Sequence, residues 1–187
     1  MSRPVLLIIV GSTREARLGM PIAEWFRELA VANGGFEVDF ADLAEVALPL
    51  FDEPHNPRFG TYEHEHTKRW SATVAHADAI VFVIPEYNHG YNAATKNAID
   101  YLYKEWNHKA VGLVSYGGAS AGTRAVEQLK PVLTSVKMVP VGEVNISLFT
   151  APIVEGRLGT PDGITFGANA MLRELARWTT QLQALRS

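Results

Sequence analysis

Three short segments hold most of the residues able to do chemistry. The first, Gly11-Ser12-Thr13-Arg14-Glu15-Ala16-Arg17-Leu18-Gly19, follows an apolar run and leads into an amphipathic stretch. At the start of a helix the backbone N–H groups lack intrahelical acceptors and the helix dipole favours an anion. Ser12 and Thr13 add hydroxyl donors. Arg14 and Arg17 add charge in a planar form that matches phosphate oxygens. The segment contains neither G-x-G-x-x-G nor G-x-x-x-x-G-K-[ST], so one terminal phosphate fits it better than a pyrophosphate or triphosphate. A plain helix cap flanked by solvated arginines is the alternative.

The second segment, Pro85-Glu86-Tyr87-Asn88-His89-Gly90-Tyr91-Asn92, mixes turn formers with two tyrosines and a histidine. Such a loop offers backbone N–H and C=O groups to the polar edge of a planar ring, with an aromatic wall beside it. Taken alone it also reads as a turn with Asn92 capping the next helix. His89, a single loop histidine, is expected to be solvated and not to transfer protons. The third segment, Ser115-Tyr116-Gly117-Gly118-Ala119-Ser120-Ala121-Gly122, has glycines that let backbone approach a flat ligand and a tyrosine to pack along its edge. A flexible loop would look the same.

Other chemistries are excluded or disfavoured. The chain has no cysteine, which removes disulfides, thiolate metal sites, Fe–S clusters and cysteine nucleophiles together. Ser115 is not a nucleophile elbow, because Gly112-Leu113-Val114-Ser115-Tyr116-Gly117 is one residue too long for G-x-S-x-G. Glu63-His64-Glu65-His66 would place its imidazoles on different helix faces, so a solvated charged surface is expected and not a metal pair. A net charge of −3 gives no electrostatic case for nucleic acid or an anionic membrane. No run approaches the ~20 apolar residues of a membrane span, and the six apolar residues 5–10 are too few for a signal peptide. The expectation is a soluble, cytoplasmic protein.

Segments of this kind need a rigid frame, and the hydrophobic pattern supplies it. Residues 5–10 read as a strand buried on both faces, and residues 19–32 carry Ile22, Ala23, Phe26, Leu29 and Ala30 at helical spacing. Residues 36–43 read as a second strand, 64–76 as a polar-faced helix, and 79–84 (AIVFVI) as the strongest strand, stopped by Pro85. A helix over 93–106, a strand over 110–115, a helix over 123–136 kinked by Pro131, a strand over 138–146 and a helix over 167–185 follow. Residues 48–60, with three prolines, form a loop of functional length. At 187 residues the whole chain, 1–187, is expected to be one domain. Alternating strands and helices specify an α/β fold, a doubly wound five-stranded parallel sheet with helices on both faces, and order 2-1-3-4-5 is expected. The three segments then follow strands one, three and four, at the carboxyl end of the sheet where ligands of such folds bind. Together they argue for a ligand site more strongly than any one does.

With those segments in place the chain resembles the NADPH-dependent FMN reductase family of flavodoxin-like proteins, near its small quinone, azo and chromate reductases. The likeness rests on GSTREARLG at 11–19, PEYNHGYNAATKNAIDYL at 85–102 and SYGG at 115–118, and in fold covers essentially the whole chain. It implies that Ser12, Thr13, Arg14, Arg17, Leu18 and Gly19 hold an FMN phosphate. Pro85, Glu86, Tyr87, Asn88, His89 and Gly90 would follow the isoalloxazine edge, largely through backbone. Ser115, Tyr116, Gly117 and Gly118 would close the other side of the ring and the ribityl chain. The resemblance further implies NADPH or NADH as co-substrate, a quinone-like or other small acceptor, a ping-pong cycle, and a homodimer or a tetramer of two dimers. No separate acid–base residue is needed, since the cofactor carries the hydride. The aromatic residues of 93–106 suit a subunit contact. A flavodoxin-type electron carrier is the alternative, though such carriers are usually strongly acidic.

Overall fold

The computed structural model describes residues 3–159 and 161–186. Its frame is a parallel sheet of five long strands: β1 (Val5–Val10), β2 (Glu37–Asp42), β3 (Ala79–Tyr87), β5 (Ala110–Gly117) and β6 (Val139–Ser147). They lie in the order β2-β1-β3-β5-β6, which is the expected 2-1-3-4-5 of a flavodoxin-like fold. A two-residue strand, β4 (Gly90–Tyr91), folds back antiparallel on the end of β3. The helices are α1 (Gly19–Asn33), α2 (Leu43–Val46), α3 (Glu65–His76), α4 (Ala93–Asp100), α5 (Thr123–Ser135) and α6 (Asp162–Leu182), and a small hairpin of β7 (Ile153–Val154) and β8 (Arg157–Leu158) precedes the last.

Period-two alternation sends the side chains of the central strands into two cores. Leu7, Ile9, Ile80, Phe82 and Leu113 meet α3, α4 and α5 on one face. Leu6, Ile8, Val81, Val83 and Val114 meet α1 and α6 on the other. All ten are completely buried, and each such side chain contributes about 1.5–3 kcal/mol. None of the helices among the described residues is long and apolar enough to cross a membrane.

Three local expectations need correction. Pro85 does not stop β3, which continues to Tyr87 in register with β5 (Pro85 opposite Tyr116). β1 has already ended opposite Val83, so on that side the missing proline N–H interrupts no ladder. The helix expected over 93–106 ends at Asp100 and resumes only as a 3-10 turn, Lys104–Trp106. Two indoles end it. Trp70 Nε1 donates to the Ala98 carbonyl (2.9 Å) and Trp106 Nε1 to the Ile99 carbonyl (3.1 Å), the acceptors a continuing helix would have used. Tyr101, Leu102 and Trp106 are consequently core residues and not a subunit contact.

The third correction concerns Glu63-His64-Glu65-His66. His64 is the extended N-cap of α3 and not a helical residue, so the two imidazoles stack, 5.2 Å between centroids. Both reach Asp52 of the 48–60 loop, His66 through the carboxylate (3.0 Å) and His64 through the carbonyl (3.2 Å). Among the described residues no cluster of His, Asp and Glu is arranged to hold a metal ion.

Candidate functional site

The first segment leaves β1 at Gly11, whose N–H is held by the Val83 carbonyl (2.9 Å). Beyond it, among the described residues, the amides of Ser12, Thr13 and Arg14 make no hydrogen bond. The start of α1 is equally unspent. Leu18 occupies its N-cap without a side-chain cap, and no acidic residue in the first turn offsets the dipole. Gly19 and Met20 therefore present N–H groups outward, while Pro21 has none to present.

The side chains divide into spent and unspent groups. The Arg14 guanidinium is exposed and lies over the Tyr87 ring, 5.9 Å from its centroid. Arg17 pairs instead with Asp42 at the end of β2, and Asp42 also caps α2 by accepting from the Ala44 N–H (3.0 Å). That pairing neutralises Arg17 and leaves Arg14 as the free cation of the segment. The Ser12 hydroxyl is buried, 2.9 Å from Tyr87 Oη, and so joins the first segment to the second. Thr13 is exposed at the rim of a neighbouring cleft of about 490 Å³ walled by Leu43, Leu48, Leu50, Ala94 and Asn97.

In the second segment Asn88 and His89 form the tip of the β3–β4 hairpin, both at positive φ (50° and 69°), as a type I′ turn requires. The His89 carbonyl accepts from Gln128 Nε2 (2.8 Å), which fastens the tip to α5. Glu86 turns inward and binds Arg124 Nε (2.7 Å) and the Arg124 N–H (3.2 Å). Burial raises its carboxyl pKa, but the bonds from Arg124 and Ser120 outweigh that and hold it below the ordinary glutamate value. Only the backbone of Glu86 is left for a ligand.

The third segment is fixed from behind in the same manner. Ser115 Oγ is buried, 2.6 Å from Asn145 Oδ1 and 2.9 Å from the Ala121 carbonyl, so its hydroxyl is used internally. The Gly117 carbonyl accepts from the Leu148 N–H (2.9 Å) and the Gly118 carbonyl from Ser147 Oγ (3.0 Å), which turns the following N–H groups the opposite way. Tyr116 reaches toward α1. Its hydroxyl is buried, has no hydrogen-bond partner, and has its pKa raised by that burial. A Cβ on Gly19 would sit 2.7 Å from it, so only glycine lets α1 start this close.

The three segments thus surround one cleft of about 270 Å³, lined by Arg14, Leu18, Pro85, Tyr87, Tyr116 and Gly117. Its donors suit a phosphomonoester: three free loop amides, an uncapped helix start, an exposed guanidinium and an orphaned buried hydroxyl. A planar ring carried on that phosphate would pass between the β3–β4 hairpin and the glycine segment. FMN has both parts, and the residues present fit it. Asp42, Asn92, Thr95 and Asn145, which orient these segments from behind, were not singled out as site residues by sequence. Asp42 had the clearest signal, since order 2-1-3-4-5 places the end of β2 beside the first segment.

Known proteins agree with that fit. The family model described as NADPH-dependent FMN reductase matches residues 4–151, a span containing all three segments. An NAD(P)H-dependent FMN reductase of Schizosaccharomyces pombe is 45% identical over 137 residues, covering 72% of this chain and 68% of its own. A quinone reductase of Pseudomonas putida is 30% identical over 138 residues, 70% of each chain. Among solved structures, the flavoenzyme NAD(P)H:(acceptor) oxidoreductase FerB of Paracoccus denitrificans superposes with a TM-score of 0.73 over 95% of this chain and 98% of its own. At 21% identity that likeness speaks for the fold. The chain belongs to the NADPH-dependent FMN reductase family.

Proposed function

We propose that this enzyme holds FMN in the cleft between the three segments and uses it to pass hydride from NAD(P)H to a quinone-like acceptor, with the two substrates visiting in turn. The observation that carries the reading is the convergence of unspent donors at the start of α1: the amides of Ser12, Thr13 and Arg14, the Arg14 guanidinium and the Tyr116 hydroxyl. When bound there, FMN supplies two-electron redox chemistry, so that NAD(P)H, an acceptor and a proton become NAD(P)⁺ and the reduced acceptor. The protein's own part is placement and electrostatics. Arg14 and the loop amides bind the phosphate, the Tyr87–Ser12 contact sets the wall between phosphate and ring, and the N–H group of Gly118, turned away from the β6 side, stabilises negative charge at the ring edge.

Membership of an enzyme family sets aside the bare electron carrier, and a relative named quinone reductase supports the acceptor class. Leu50 and Phe149, 83% and 77% exposed beside the two clefts, support a homodimer in which a second copy narrows the entrance. The test is a visible spectrum of the purified protein with FMN, taken anaerobically through NADPH and then a soluble quinone. Loss of the flavin absorption with NADPH and its return with quinone is the expected result. Bound flavin that NADPH leaves untouched would overturn the reductase cycle, and failure to bind FMN would overturn the site.

A further inference from the structure

On the sheet face opposite α1 the chain builds a buried polar relay that capping α4 does not require. Asn92 stands at the N-cap of α4, 5% exposed, yet its side chain accepts from no backbone N–H of the helix start. It reaches instead to the end of β1, where Nδ2 donates to the Gly11 carbonyl at 2.6 Å. Its Oδ1 accepts from Thr95 Oγ1 at 2.8 Å, and Thr95 is fully buried. A carbonyl can only accept, so the amide nitrogen must face Gly11 and the Thr95 hydroxyl must supply Oδ1. Every member is satisfied and only one arrangement is open.

The relay decides which way a glycine peptide points. A Cβ at position 11 would run into Thr95 Oγ1 and lie 3.2 Å from both Asn92 Oδ1 and the Val83 carbonyl, so the close approach demands glycine. Glycine also leaves its peptide free to rotate. The Gly11–Ser12 peptide could therefore show an anion either its N–H or its carbonyl oxygen, with opposite effect. The bond is trans, so carbonyl and N–H point in opposite directions. With the carbonyl pinned toward α4, the Ser12 N–H faces the α1 side, where the donors of the cleft converge.

We propose that Asn92 and Thr95 are positioning residues for the cofactor phosphate, holding the Gly11–Ser12 peptide with its N–H toward the anion. The inference rests on the phosphate placement proposed above. It is tested by fluorescence titration of FMN and of riboflavin, which lacks the phosphate, against wild type, Asn92→Ala, Thr95→Val and Thr95→Ser. Asn92→Ala is expected to weaken FMN roughly tenfold, the size of one hydrogen bond to a charged group, and to leave riboflavin unchanged. Thr95→Val should move the FMN-to-riboflavin ratio in the same direction by less, and Thr95→Ser should restore it. Parallel weakening of both flavins, or unchanged FMN affinity in Asn92→Ala and Thr95→Val, would overturn the proposal. Should Asn92→Ala not fold, the near-isosteric Thr95 pair decides on the same ratio. A wild type that binds FMN no more tightly than riboflavin would overturn the phosphate placement itself, and the relay's role with it.

Discussion

The two ends of the sheet handle polar groups in opposite ways. At the amino end the charged residues are consumed in closing the fold. Asp78 accepts from the Val5 N–H (2.9 Å) and pairs with Arg186 (3.1 Å), and the buried Lys109 amine donates to the Val74 carbonyl at the end of α3 (2.5 Å). A cleft of about 720 Å³ opens there, larger than either at the other end, yet its charged groups are mostly engaged: Asp78 with Arg186, Lys104 and Lys109 with carbonyls, and Glu105 with Tyr62 and Ser71, which leaves Arg186 Nε as the buried donor without a partner. At the carboxyl end the structure withholds bonds: loop amides without acceptors, a helix without a cap, a buried hydroxyl without a partner. Size does not mark the site. The convergence of several unspent donors on one cleft does, because a single anion can engage them all, and the buried one among them carries a cost that such a ligand offsets.

The sharpest break of that contrast comes from Lys109. Burial, aided by Arg186, lowers its pKa from 10.5 to about 8. The unfolded chain keeps that proton to about 10.5, so between pH 8 and 10.5 the unfolded state binds more protons at this site and its contribution to stability rises with pH. Read as the difference between wild type and Lys109→Met, which cancels the opposing titration of Tyr62, Tyr101 and Tyr116 from about pH 10 upward, the rise should be of the order of 3 kcal/mol by chemical denaturation, and the variant should keep its FMN affinity. A flat difference profile would mean Lys109 is not held against its charge, and a loss of FMN binding in the variant would mean the two ends are not separate. Next in size is Arg14→Ala, expected to lower FMN affinity by about 2 kcal/mol with no change in the melting temperature of the apoprotein, since the side chain is exposed. The smallest and most discriminating change is Tyr116→Phe. Removing an orphaned hydroxyl should stabilise the apoprotein by about 1 kcal/mol while weakening FMN. If both stability and affinity rise, the hydroxyl is not held for the cofactor.

Much of the frame was legible because it depends on local pattern. The continuous apolar runs marked the long strands, and the alternation of strands with helices led to order 2-1-3-4-5. The three ligand segments followed from that order. Features set by distant partners were not legible. No glycine or proline ends α4; its last carbonyls go to two indoles, that of Trp70 from α3 and that of Trp106 from the turn that follows. Nothing adjacent to Arg17 shows that it belongs to Asp42, and the EHEH spacing misleads once His64 proves to lie outside the helix.

By itself, then, the sequence determined the layers of the fold, the end of the sheet that carries the site, and the residue types a phosphate and a flat ring would meet. Only the tertiary structure decided which of those groups remain free. Arg17, Glu86 and Ser115 are already bonded, whereas Arg14, the loop amides and Tyr116 Oη are not. The reason is physical: strand and helix periodicity are written in neighbouring residues, whereas the occupancy of a hydrogen-bonding group depends on partners tens of residues away.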